Sequence, residues 1–146
     1  MPIPPDPSVL VTELREHLIA QGLVRRSTAA APAELPKLYS EPESLPTPAA
    51  AGAPATIGVW RDGGSSARPY ESSLTVDKVE FVLRTLEPYA ADLIYAGLRA
   101  ELTDRRNWQM GNWTIAASDE WRKLQRVGAN SDAVTHDFAV LFTTYA

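Results

Sequence analysis

Leu74-Thr75-Val76-Asp77-Lys78-Val79-Glu80-Phe81-Val82-Leu83-Arg84-Thr85-Leu86 is the stretch on which the architecture turns. Val79, Phe81 and Leu83 alternate with Lys78, Glu80 and Arg84, which is the two-residue period of a strand with one buried face. Val82 is the one apolar residue on the polar side. The pattern predicts a sheet packed on one face and solvated, or covered by a neighbour, on the other.

Downstream, Ala90, Leu93, Ile94, Gly97, Leu98 and Leu102 recur at helical spacing and predict a helix over residues 88–104. A glycine inside a helix costs about 1 kcal/mol against alanine, so Gly97 predicts close packing of this helix on the sheet. Strands are expected near 113–125 and 134–145, joined by the loop Gly128-Ala129-Asn130-Ser131-Asp132. In the last strand Phe138, Val140 and Phe142 alternate with Asp137, Ala139, Leu141 and Thr143. Residues 74–146 thus read as a strand-helix-strand-strand core.

Upstream, Leu10, Leu14 and Leu18, joined by Val11, form one stripe of a helix over residues 8–21. Asp6 or Ser8 can cap it and Gly22 stops it. Residues 35–40 suit a short edge strand, where Pro36 is tolerated. Residues 41–54 are rich in proline and alanine and read as an extended, mobile loop. Thr56-Ile57-Gly58-Val59-Trp60 is a β-branched strand ending at the loop signal Asp62-Gly63-Gly64-Ser65-Ser66. The expected fold is α+β, one domain over residues 1–146: a mostly antiparallel four- or five-stranded sheet with two helices packed on one face.

Composition narrows the functional classes. At 146 residues the chain has room for one core, and most of its twelve prolines lie in the first third. With no cysteine, disulfides and thiolate metal sites are excluded. Only His17 and His136 are present, which makes a histidine-based metal cluster improbable; His17 reads as a surface or half-buried residue. The net charge of −4 argues against a protein that grips nucleic acid through phosphate contacts. The start Met1-Pro2-Ile3-Pro4-Pro5 does not read as a signal peptide, and no apolar run approaches the ~20 residues that span a bilayer. A soluble protein kept in a reducing compartment is expected.

No enzyme signature emerges. Gly63-Gly64-Ser65-Ser66 lacks the Lys-Ser/Thr ending of a phosphate-binding loop, and no serine stands in a nucleophile elbow. Asp119 and Glu120 are neighbours on a strand and point to opposite faces, so they cannot form a dyad. Glu101 and Asp104 read as a solvated helix end. No catalytic, cofactor-binding or metal-binding residue is selected, and a non-enzymatic role is expected.

Tryptophan and arginine near turns and strand ends fit anchors for a protein partner. Trp113 and Trp121 share the odd-numbered face with Ile115, so core packing accounts for one or both. Arg105 and Arg106 follow the helix C-terminus, where its dipole favours them in any case. Trp108 reads as lying in a turn and is the preferred interface candidate. The interface set is Trp60, Arg68, Tyr70, Arg105, Arg106, Trp108, Met110 and Arg122.

The order of several features resembles a family of phage minor capsid or tail-terminator-like proteins of long-tailed phages, especially those infecting actinobacteria. The residues carrying it are Gly22-Leu23-Val24, Arg68-Pro69-Tyr70-Glu71-Ser72, Leu102-Thr103-Asp104-Arg105-Arg106-Asn107-Trp108-Gln109-Met110, Trp121-Arg122-Lys123-Leu124-Gln125-Arg126 and Phe142-Thr143-Thr144-Tyr145-Ala146. The resemblance implies a structural virion protein of the neck, assembled in the host cytoplasm, that caps the tail tube as a hexameric ring. Its implied partners are further copies of itself, the tail tube protein and the head-tail connector proteins. DNA would pass through the channel without specific binding, past an acidic wall. A head-completion or connector adaptor on the portal side is the alternative.

Overall fold

The computed structural model describes residues 7–40, 44–61 and 74–145. Three helices, α1 (Pro7–Ala20), α2 (Pro48–Ala51) and α3 (Pro88–Leu102), accompany seven strands. The strands are β1 (Arg25–Arg26), β2 (Lys37–Ser40), β3 (Ala55–Arg61), β4 (Leu74–Thr85), β5 (Arg105–Met110), β6 (Trp113–Ala129) and β7 (Val134–Tyr145). All seven form one sheet in the order β1-β2-β3-β4-β7-β6-β5. β1, β2 and β3 run parallel and every later pair is antiparallel. The expectation of a mostly antiparallel four- or five-stranded sheet with two helices is therefore overturned by a mixed sheet of seven strands with three helices.

The centre follows the alternation read from the sequence. Val79, Phe81 and Leu83 of β4 pair with Val140, Phe138 and His136 of β7. Phe81 and Phe138 stack with ring centroids 4.7 Å apart. On the same face Ile57 and Val59 of β3 continue the apolar rows.

The flanks differ from expectation. β2 is not an edge strand: β1 covers its outer side, and all four of its residues are buried. Lys37 is kept there by donating from Nζ to the Ala51 carbonyl, 2.7 Å away, which anchors α2 to the sheet. α2 itself interrupts the supposed 41–54 loop; Thr47 caps it, and Pro48 suits its first turn. At the other flank, residues 105–110 are a strand and not a turn. β5 and β6 form a hairpin closed by Gly111-Asn112, with Met110 opposite Trp113. Gly111 sits at φ 61°, and a Cβ there would collide with the Glu13 carboxylate of α1.

That close approach reflects a sheet curled around α1. The helix touches both β3 and β5, strands separated by three others in the sheet. Leu10, Leu14 and Leu18 are at most 1% exposed and share one cluster with Ile57, Val59, Trp108, Met110 and Ile115. The curl has a covalent cause. Fifteen residues of β6 (115–129) lie against eleven of β7 (134–144), one extra residue entering at each of four register shifts. Each bulge bends the strand and increases its twist.

Leu14→Ala should cost about 2–5 kcal/mol in a urea titration, because the space it leaves is walled by the curled sheet and cannot collapse. A loss below about 1 kcal/mol would mean that α1 is peripheral to the core.

Candidate functional site

The structure divides the interface candidates between the two faces of the sheet. Trp108 and Met110 point to the inner, helix-covered face, and both are buried. The indole Nε1 of Trp108 donates to Ser118 Oγ at 3.0 Å, and the His17 ring lies 5.4 Å away, tilted. The Arg105 guanidinium lies over the indole ring at 4.0 Å and pairs with Glu101 at 3.2 Å. His17, half-buried as expected, holds the same carboxylate at 2.7 Å from Nε2. This cluster locks α1, α3 and β5 together. Trp108 is a core residue because β5 continues the sheet where a turn was expected.

The remaining described candidates face outward. Trp60, Glu80, Ala139 and Arg122 stand in one row across β3, β4, β7 and β6. Arg122 lies 3.8 Å from Glu80 and 3.5 Å from Asp137, and this charged group seals Ala139 from solvent. Trp60 lies flat over Gly58, where any Cβ would strike its ring. Arg106 is exposed and pairs with Asp119 at 3.0 Å. Arg68 and Tyr70 lie outside the described residues. The structure thus brings Trp60 and Arg122 to one outer row, while Arg105, Trp108 and Met110 belong to the α1 contact.

Other polar groups are structural partners. Asp119 and Glu120 do point apart: Asp119 meets Arg106, whereas Glu120 accepts from the Tyr95 hydroxyl and pairs with Arg99 at 3.3 Å. Burial, and then this donated bond, raise the phenol above its ordinary pKa. Asp77 is 1% exposed on the inner face, with Arg61 Nε at 3.4 Å. Burial pushes its carboxyl pKa up, and the Arg61 charge opposes that only in part. Among the described residues no group of three His, Cys, Asp or Glu side chains could hold a metal ion.

What the candidate set missed is the exposed apolar surface. Trp121 is 57% exposed, although it shares odd numbering with buried Trp113 and Ile115. The bulge between Ile115 and Ala117 shifts the inward positions to Ser118 and Glu120, and Trp121 falls at the next bulge. Its ring takes the Lys78 ammonium at 5.5 Å and otherwise meets solvent. Past Ser118, β6 has no strand on its outer side among the described residues, since β5 ends there. This free edge carries Trp121, Lys123, Arg126 and Val127, all exposed. A second exposed set, Leu86, Tyr89 and Leu93, lies at the start of α3. Leu93 was expected to line the sheet with Ala90, Ile94 and Leu98, yet it is 58% exposed, and the buried residues of α3 are Ala91, Leu98 and Leu102.

Among the described residues no helix is long and apolar enough to cross a membrane. No protein-family model matches the chain, and no curated protein matches it.

Two substitutions separate core from surface. Trp108→Ala should cost about 3–5 kcal/mol in urea denaturation followed by circular dichroism. Trp121→Ala should stay within about 0.5 kcal/mol of the parent; the reverse order would place the wrong tryptophan in the core. Asp77 supplies a pH test. Its folded pKa is raised, so its contribution is favourable at low pH and is lost as pH rises through the folded value. Asp77→Asn should therefore stabilise the chain at pH 7, with a gain that shrinks towards pH 4. An equal gain at both pH values would refute the burial penalty.

Proposed function

We propose that this chain is a structural virion protein of the phage neck, a tail terminator that caps the tail tube as a hexameric ring and offers the surface for head-tail joining. It would act by fitting against copies of itself, the tail tube protein and the connector, without catalysis. The observation that supports this most is the outer edge of β6 beyond Ser118, which no strand covers among the described residues and along which Trp121 and Val127 are exposed. A free strand edge bearing exposed apolar side chains is a template for a neighbouring chain, and monomeric proteins ordinarily blunt or cover such edges. The family resemblance supplies the biological setting, and its motif at residues 121–126 falls on this edge.

Deleting the gene and imaging the particles by electron microscopy tests the role. Loss of a terminator should leave tails of abnormal length beside filled heads without tails. Normal-length free tails beside empty heads would favour the connector adaptor instead, and unaltered infectious particles would refute both.

A further inference from the structure

Exposed large apolar side chains among the described residues number six, and five of them fall into two groups of opposite charge. Trp121 and Val127 on β6 stand among exposed Lys123 and Arg126. Leu86, Tyr89 and Leu93 stand among exposed Glu87 and Asp92 at the start of α3. Leu93 also borders a groove of about 210 Å³ that it shares with Leu23, Pro36, Ile57, Ile94 and Gly97. The groove is almost wholly apolar and lies over the β3 side of the sheet, whereas β6 lies beyond β7 on the other side.

We infer that the basic, Trp121-bearing flank of β6 docks on the acidic, Leu93-bearing flank of α3 in a second copy of this chain. The occupant is identified by complementarity in both respects: each flank offers apolar anchors, and the charges around them are opposite. Trp121 is the natural anchor, since tryptophan is enriched among the few side chains that dominate interfaces. The two flanks are different surfaces of one subunit, β6 lying on one side of β7 and the groove over β3 beyond β4, so a contact repeated in one direction is head-to-tail. A pair formed this way leaves one flank of each kind free, and further copies add until the series closes on itself or grows as a filament. A two-fold dimer could pair the same two flanks only by making both contacts at once, which would leave neither flank free for a further copy. The biological purpose of the contact rests on the neck role proposed above; the contact itself is a property of the purified chain.

Charge reversal tests it. All four charged positions are solvent-exposed, and circular dichroism would verify that each variant keeps the parent fold. One variant carries Lys123→Glu and Arg126→Glu; the other carries Glu87→Lys and Asp92→Lys. Sedimentation equilibrium at rising concentration and low salt should show the parent chain self-associating, more weakly as salt is added. Each variant alone should associate at least about tenfold more weakly, because like charges now face one another. An equimolar mixture of the two variants should regain association, since every contact between unlike copies is again complementary. Trp121→Ala should weaken the parent association without altering its melting. Association that ignores all three changes would overturn the inference, as would a parent chain that stays monomeric throughout. The neck role is decided separately, by the particles that the gene deletion leaves.

Discussion

Four extra residues in β6 are the constraint on which the rest of the structure depends. A strand that carries fifteen residues against eleven of its partner cannot lie flat beside it. It bends, and the sheet curls until β5 reaches α1, which also packs on β3. Leu10, Leu14 and Leu18 are then enclosed by strands from both flanks of one sheet. Burial of this kind, at roughly 1.5–3 kcal/mol for each fully enclosed aliphatic side chain, is what a short helix needs to persist. The His17–Glu101–Arg105 chain of contacts and the Trp108 indole close the seam.

The same extra residues set the outer surface. Each bulge exchanges inward and outward positions, so Trp113 is buried and Trp121 is exposed on a single strand. β6 also runs past the end of β5, and among the described residues no strand covers its outer edge over the segment where lysine, arginine and apolar side chains mix. α3 and the turn before it carry more apolar surface than the sheet covers: Ala91, Leu98 and Leu102 are buried, and Leu86, Tyr89 and Leu93 are left over. These two patches of surplus apolar surface, with opposite charge around each, are what the proposed contact between copies rests on.

Much of the centre was legible in the residues. β4, β7 and α1 show clean periods of two or of three to four because each buries one face of a long element; α3 was legible as a helix, but its expected stripe included Leu93, which is exposed. The parallel β1–β2 pair was not legible as a pair, since strands of two and four residues are too short to establish an alternation, and β2 buries both faces. β5 was hidden by Arg105-Arg106, which suit a helix end as well as an exposed edge strand. The Gly111-Asn112 step between Met110 and Trp113 was the available hairpin signal. Reading Trp108 as a turn residue followed from missing it. The fate of Trp121 could not be read at all, because odd-even alternation fails wherever a bulge intervenes and bulges leave no mark in this sequence. Of the candidate interface residues, Trp108 and Met110 are core, whereas Trp60, Arg106 and Arg122 lie outward.

Hydrogen exchange followed by mass spectrometry across a concentration series tests most directly whether the two surplus flanks are where copies meet. Raising the concentration should slow exchange in residues 119–127 of β6 and in residues 86–97, and leave the α1 and β3 amides as they were. Protection gained on the β3–β4 outer face instead, or at no segment, would contradict the account.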